Sequence, residues 1–318
     1  LIILVIASIN CAYAQSSEPF LMSRPSQSVA ATCMIASRAI VRDTTDTASS
    51  GSRIAYVTMG MAVVPMFSPA LGGFIDTNFG WEGTFFVLAG LGLIMLVLSY
   101  IDQGETAPVS DKSILEQFQN YPILLTSKRF WGYCLASAFG SGAFFVYLGG
   151  APAVGAEVYA LDPQSVGLFL GAPAFGYFFG NFIAGRYSKS IGIDFMVLYG
   201  LALALVGMSL SFTISALGYG SALSFFGFMT FVGLGNGMSI PNATAGMLAI
   251  KPKLAGTASG LGSAMMIGGG AALSALAGPV LHMGSGDLAL IALMWLSVFI
   301  GILLILLVIK RNQTLTAG

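Results

Sequence analysis

Long apolar runs separated by short polar segments dominate the chain. Ten runs approach the length that an α-helix needs to cross a bilayer: 1–15, 20–42, 53–74, 84–101, 130–150, 164–185, 194–214, 219–241, 255–280 and 288–309. A membrane β-barrel would instead alternate apolar and polar residues in short segments. The pattern therefore predicts an all-α polytopic membrane protein.

Basic residues fall on one side of the membrane when successive spans alternate in direction. This basic side carries Arg42, Arg53, Lys112, Lys128, Arg129, Arg186, Lys189, Lys251, Lys253, Lys310 and Arg311. The opposite, acidic side carries Glu18, Asp76, Glu82, Glu157, Asp162 and Asp287, with no Lys or Arg. The positive-inside rule predicts that the basic side is cytoplasmic.

Composition excludes several classes of protein. The 318 residues are 56% hydrophobic and 8% charged, whereas soluble domains carry roughly 25% charged residues. Thirteen basic residues balance thirteen acidic ones, so nucleic acid is not an expected partner. The three cysteines lie in apolar runs, so no metal site or disulfide framework is expected. With a single histidine in the chain, an enzyme is not expected either.

A polar segment divides the spans into four and six. We expect a four-span bundle over 1–101, a linker over 102–129, a six-span bundle over 130–311 and a cytoplasmic tail over 312–318. Apolar spacing within 112–125 predicts an amphipathic helix on the membrane surface. Six spans after a central linker are typical of two-bundle transporters, so two further spans are expected before the first residue.

Five short stretches carry recognisable motifs along nearly the whole chain. They are Arg38-Ala39-Ile40-Val41-Arg42-Asp43, Pro65–Gly73, Gly80–Phe86, Gly233–Pro241 and Ala255–Gly260. In this order they resemble the motifs of the major facilitator superfamily, and within it the Bcr/CflA type of multidrug exporter. The resemblance implies a two-bundle fold of which this chain holds the family's helices three to twelve.

Arg24 and Gln27 are the proton-coupling candidates. Arg24 lies about one turn inside the second predicted span, where a charge is costly to insert. The resemblance links the matching family arginine to proton coupling, and Gln27 lies on the same helix face. The alternative is that Arg24 extends to the nearby membrane surface and serves only as an anchor.

A cytoplasmic gate is implied by the resemblance at the basic side. Arg38, Arg42 and Asp43 close the second span, and Arg186 and Lys189 follow the sixth. Ordinary positive-inside anchoring is the alternative for these cations.

The third span resembles the antiporter-motif helix of the family. It contains Pro65 and Pro69, each of which removes a backbone donor, followed by Gly72 and Gly73. These residues predict a kinked helix that packs closely at the interface between the two bundles.

Aromatic residues of the fifth and sixth spans are candidates for an apolar substrate cavity. We assign candidate roles there to Phe144, Phe145, Tyr147 and Phe175, together with Asn236 of the eighth span. Packing against neighbouring helices or lipid is the alternative for each of them.

The resulting functional prediction is secondary active export of small, largely apolar compounds in exchange for protons, by alternating access. No nucleotide-binding glycine-rich loop occurs, so the proton gradient is the expected energy source and no cofactor is expected. The expected partners are a small molecule, protons and the bilayer, and the expected state is a monomer in the bacterial inner membrane. The alternatives are an inactive truncated fragment and a facilitator-type importer of a metabolite.

The orientation can be tested by labelling single cysteines in intact cells. Cysteines introduced at positions 76 and 162 should react with an impermeant maleimide, because both positions are predicted to face the periplasm. Cysteines at positions 112, 251 and 318 should react only after the membrane is permeabilised. If only the cysteines at positions 112, 251 and 318 react in intact cells, the orientation is the reverse of the predicted one.

Overall fold

A computed structural model describes residues 1–33, 40, 64, 68–102, 124–251, 254–283 and 286–316. Its helices are α1 Ile2–Ala12, α2 Ser17–Ser28, α3 over 68–79, α4 Trp81–Asp102, α5 Lys128–Ala153, α6 Pro163–Leu170, α7 Ala172–Ile191, α8 Ile193–Ile214, α9 Ala222–Ile250, α10 Ala255–Ala275, α11 Ala277–Leu281 and α12 Asp287–Thr316. A 3₁₀ turn, Val29–Ala31, follows α2. The π-helical turns Val154–Val158 and Ser215–Tyr219 extend α5 and α8. Within these ranges the chain forms no strand.

Seven helical stretches in the described ranges are long and apolar enough to cross a membrane. They are Trp81–Asp102, Lys128–Val158, Pro163–Ile191, Ile193–Tyr219, Ala222–Ile250, Thr257–Leu281 and Asp287–Thr314, and they correspond to the fourth to tenth predicted spans. The first predicted span appears as the shorter helix α1. Most of the third span and the end of the second lie outside the described residues. The predicted all-helical membrane fold is thereby confirmed.

The second span begins earlier than its hydrophobicity suggests. The backbone of Ser16 is extended and α2 starts at Ser17, with Glu18 in its first turn. A carboxylate there interacts favourably with the positive end of the helix dipole. Arg24 consequently lies two turns inside the helix, not one.

The first bundle is held by α1, which packs against α2 and α4. Cys11 is fully buried beside Phe85 and Phe20. The Phe20 ring meets the rings of Phe85 and Trp81 edge to face, with centroids 5.5 and 5.8 Å apart. Much of α4 presents exposed apolar side chains, as is typical of a helix that faces lipid.

The second bundle is organised around α9, which packs against α5, α7, α8 and α10. Matched small residues let α7 and α9 approach backbone to backbone. Gly176 and Gly180 lie four residues apart on α7, as do Gly233 and Gly237 on α9. A Cβ added at Gly233 would lie 1.7 Å from the Pro173 carbonyl oxygen. Such small-residue pairs replace the hydrophobic effect as the basis of helix association in lipid.

Contacts between helix ends establish the alternating direction of the spans. Asp194, in the first turn of α8, hydrogen-bonds Tyr133 near the start of α5 and Asn312 near the end of α12. At the other end, Tyr159 after α5 hydrogen-bonds Asp287 at the start of α12. The start of α8 and the end of α12 therefore lie at the same end of the second bundle as the start of α5, as the alternation requires, and the acidic residue Asp194 lies at this basic end.

Two predicted boundaries change. α12 continues to Thr316, so the predicted tail over 312–318 begins inside a helix that Asn312 holds by its hydrogen bonds. α5 begins at Lys128, where the Ser127 hydroxyl accepts a hydrogen bond from the Phe130 amide. The amphipathic helix predicted over 112–125 lies outside the described residues, apart from positions 124 and 125.

Candidate functional site

A chain of polar contacts connects Arg24 to the first helix. The Arg24 guanidinium donates to Gln27 Oε1 at 2.8 Å, and Gln27 Nε2 donates to the buried Ser8 hydroxyl at 2.9 Å. The guanidinium carbon also lies 5.9 Å from the centre of the Phe85 ring of α4. Within the described ranges Arg24 has no carboxylate partner. The arginine is thus held in a defined position while its charge stays without a counterion from these residues.

The two bundles touch where α3 meets α6, at the acidic side. A Cβ added at Gly73 would lie 2.6 Å from the Pro163 carbonyl oxygen, and one at Gly167 would lie 2.3 Å from that of Pro69. By contrast, a Cβ at Gly72 would meet nothing within 4 Å. The structure therefore places Pro69 and Gly73 of the motif helix in the contact between bundles and leaves Gly72 outside it.

The aromatic candidates of α5 occupy different surroundings. Tyr147 is fully buried among Phe144, Phe225 and Phe226, and its hydroxyl donates to the Phe169 carbonyl oxygen at 3.3 Å. In this conformation Tyr147 is a core residue and its ring does not reach an open cavity.

Phe145 is half-buried and its ring covers Gly270 of α10, where an added Cβ would lie 2.2 Å from the ring. Asn236 is 5% exposed and its amide lies beside Gly140 of α5. Phe175 is 53% exposed on α7. These three side chains are therefore not gathered into one site in this conformation, and their roles in a substrate cavity stay predictions.

Arg186 and Lys189 lie three residues apart in the last turns of α7, and both are exposed. The residues predicted to complete the cytoplasmic gate, Arg38, Arg42 and Asp43, lie outside the described residues, as does Pro65 of the motif helix. The gate consequently stays a prediction.

Sequence reasoning missed a polar cluster at the basic end of the second bundle. This basic-end cluster consists of Tyr133, Asp194 and Asn312. The Tyr133 hydroxyl donates to Asp194 Oδ1, and Asn312 Nδ2 donates to Asp194 Oδ2 at 2.7 Å and to the Tyr133 oxygen at 3.1 Å. A Cβ at Gly246 of α9 would lie 2.6 Å from the Tyr133 ring. One local feature of the sequence indicated Asp194: it lies two residues after the turn residue Gly192, where a helix starts.

A second cluster, the acidic-end cluster, joins the same three helices at the opposite end. It consists of Tyr159, Ser215 and Asp287. Both hydroxyls donate to Asp287 Oδ2, the tyrosine at 2.7 Å, and Asp287 is only 7% exposed in the first turn of α12. Burial and the adjacent Asp287 carboxylate raise the pKa of Tyr159 above its ordinary value, so its hydroxyl stays a donor throughout the neutral range.

The outer end of α6 is set by Asp162. Its carboxylate accepts hydrogen bonds from the Ser165 amide and hydroxyl, at 3.0 and 2.6 Å. These bonds lower the pKa of Asp162, and the carboxylate caps the helix that contacts α3. In the part of the chain that the structure describes, no three His, Cys, Asp or Glu side chains are placed to hold a metal ion.

Comparison with known proteins identifies a family. The family model described as Major Facilitator Superfamily matches residues 1–275. The chain is 29% identical over 192 residues to the "Uncharacterized MFS-type transporter YdgK" of Bacillus subtilis, covering 58% of this chain and 48% of that protein. It is 26% identical over 247 residues to the "Bicyclomycin resistance protein homolog" of Haemophilus influenzae, covering 76% and 62%.

A third relative is the "Multidrug resistance protein MdtL" of Klebsiella pneumoniae, 33% identical over 109 residues, which are 34% of this chain and 28% of that protein. The chain thus spans less than two thirds of the curated relatives that it matches here. Among solved structures, the fold is similar to a bacterial homolog of the human lysosomal transporter Spinster in an inward-facing, occupied conformation. The TM-score is 0.70 at 16% identity, over 97% of this chain and 80% of that one.

The acidic-end cluster predicts a specific loss of stability. Tyr159→Phe removes one of the two hydroxyl donors that the described residues offer the buried Asp287, which should destabilise the second bundle by about 1–3 kcal/mol. Tyr219→Phe is the matched control, because Tyr219 belongs to the same end and is 78% exposed. Melting temperatures in detergent should fall for Tyr159→Phe and not for Tyr219→Phe. Equal melting temperatures of the two variants would show that the acidic-end cluster does not contribute to the stability of this bundle.

Proposed function

The chain belongs to the Major Facilitator Superfamily, and from this premise we propose that it exports small, largely apolar compounds across a bacterial inner membrane in exchange for protons. The superfamily predicted from the sequence motifs is confirmed, and its members are transporters, not enzymes. Relatives named for resistance to bicyclomycin and to multiple drugs support a drug-like substrate. The proton gradient would supply the energy.

The observation that carries the proposal is the contact between α3 and α6. Backbone meets backbone there through Gly73 and Gly167, with no intervening side chain. A contact of this kind brings the bundles together at the acidic side, which the charge pattern predicts to be periplasmic. The arrangement supports transport by rocking, in which the bundles separate at this contact to release substrate outward.

Arg24 is the proposed element of proton coupling. Gln27 and Phe85 hold its guanidinium, and no described carboxylate neutralises it. A cation held in this way favours the ionised form of a carboxylate that approaches it. Protonation of that carboxylate would weaken the attraction, so the position of the helices would depend on proton binding.

The substrate cavity is proposed to lie between the bundles, with Phe145, Phe175 and Asn236 as candidate contacts. Apolar cavities with few polar groups are typical of sites for apolar ligands. Tyr147 would contribute indirectly in this conformation, by holding Phe144 in the aromatic core.

The contact between bundles predicts a loss of transport at one of two adjacent glycines and no effect at the other. Gly73→Ala places a methyl group against the Pro163 carbonyl and should disfavour closure by about 1–3 kcal/mol, as overpacking does. Gly72→Ala meets open space and should behave as wild type. We expect drug uptake into everted vesicles, the direction that corresponds to export from the cell, to fall roughly five-fold or more for Gly73→Ala alone, following the same estimate.

The expression level of each variant in the membrane is the control for folding. Equal drug uptake by vesicles with Gly73→Ala and with Gly72→Ala, at equal expression, would show that closure at α3 and α6 does not limit transport.

Proton coupling can be separated from folding at position 24. Arg24→Ala removes a charge that is costly in a membrane, so it should insert at least as well as wild type while losing drug-driven proton movement. Arg24→Lys keeps the charge but loses the planar fork that engages Gln27, so it should couple poorly. The measurement is proton flux in reconstituted vesicles on addition of drug.

Two results would count against the proposal. Normal coupling by well-expressed Arg24→Ala would make Arg24 an anchor at the membrane surface. If the wild-type protein moves drug without moving protons, transport is not a proton antiport and another driving force must supply the energy.

A further inference from the structure

A cavity of about 500 Å³ opens at the basic side, between the start of α5 and the end of α12. Four basic residues line its polar end: Lys128, Arg129, Lys310 and Arg311. None of the described residues that line the cavity carries a carboxylate. The cavity is therefore a concentration of positive charge set into the side of the second bundle.

These cations lack acidic partners in the described ranges. None of the four forms an ion pair there, and Arg129 Nε is buried without a hydrogen-bond partner among those residues. The carboxylate of the adjacent basic-end cluster, Asp194, already accepts hydrogen bonds from Tyr133 and Asn312. A buried guanidinium nitrogen without an acceptor is costly, and an anionic group bound in the cavity would relieve that cost.

The other end of the cavity is apolar. Leu135 of α5 and Leu304 and Leu307 of α12 line it, about one to two helical turns, or roughly 5–10 Å, deeper into the membrane than the cations. Gly132 allows α5 and α12 to close the floor, since its added Cβ would lie 2.1 Å from a methyl group of Val308. The cavity thus changes from cationic to aliphatic along the direction of the membrane normal.

Trp131 lies at the boundary between the two ends. Its indole N–H donates to the Leu125 carbonyl oxygen at 2.7 Å, which fixes the ring against the wall of the cavity. Tryptophan is the residue typical of the level where headgroups meet acyl chains.

We propose that this cavity is a binding site for an anionic phospholipid of the cytoplasmic leaflet. The lipid phosphate binds Lys128, Arg129, Lys310 and Arg311, and an acyl chain lies on the leucines. Basic pockets between membrane helices on the cytoplasmic side are suited to anionic headgroups. Free phosphate shares the charge but not the acyl chain, so the apolar end favours the lipid. The proposal rests on the predicted orientation and is independent of the transported substrate.

Tryptophan fluorescence provides a direct test, because the chain has three tryptophans. With Trp81→Phe and Trp295→Phe, Trp131 reports on the lipid next to the cavity. The protein is reconstituted in phosphatidylcholine vesicles that contain brominated phosphatidylglycerol or brominated phosphatidylcholine, since bromine quenches tryptophan on contact. We expect phosphatidylglycerol to be preferred over phosphatidylcholine by at least roughly five-fold, the effect expected of one basic residue near a charged membrane surface.

The charge-removal variant is Arg129→Gln/Arg311→Gln, and its matched control is Arg186→Gln/Lys189→Gln, which removes equal charge from the same side outside the cavity. The preference should disappear in the first variant and persist in the second. A second reporter, with Trp295 as the remaining tryptophan, should show no preference. Inorganic phosphate at millimolar concentration should not reverse the quenching.

Three outcomes would overturn the site. Equal quenching by the two lipids at Trp131 would show no selectivity. Equal loss of preference in both double variants would show a general surface-charge effect, and reversal by inorganic phosphate would identify a phosphate site that does not need lipid. Circular dichroism verifies folding, and the exposed pair Lys128→Gln/Lys310→Gln replaces the arginine pair if that variant does not fold.

Discussion

Close approach of helix backbones is the constraint on which the rest of the structure depends. In lipid, burial of apolar side chains does little to bring helices together, because the solvent is as apolar as the protein. The chain meets this constraint with glycine at the crossing points, within the second bundle at Gly176 and Gly233 and between bundles at Gly73 and Gly167. The same kind of contact therefore holds the interior of the second bundle and joins the two bundles where α3 meets α6.

Polar side chains supplement these contacts where helices end. Asp194 and Asp287 are each satisfied by hydroxyl or amide donors from two other elements. Hydrogen bonds to a charged group are stronger than neutral ones, and a buried carboxylate without them would be destabilising. Placing them near the helix ends keeps the charges away from the centre of the bilayer while still directing which helices meet.

The membrane spans could be predicted from the sequence, but the side of each helix that contacts its neighbours could not. The length of an apolar run determines where a helix can cross the membrane, so the fourth to tenth spans could be predicted from the positions of these runs. The choice between Gly72 and Gly73, or between Tyr147 and Phe145, depends on helix rotation, which weakly amphipathic sequences do not encode. The two clusters were missed because their partners lie 61 to 179 residues apart, with no local pattern that relates them.

The pairing of clusters at opposite ends has a mechanical consequence. From Tyr133 to Tyr159 the chain rises about 39 Å at 1.5 Å per residue. Tyr133 is hydrogen-bonded to Asp194 of α8, which Asn312 of α12 also contacts. Tyr159 is hydrogen-bonded to Asp287 of α12, which Ser215 after α8 also contacts. Because hydrogen bonds join α5, α8 and α12 at both ends, these three helices are expected to resist bending and sliding relative to one another. If these helices rotate together, their two ends are expected to move in opposite directions.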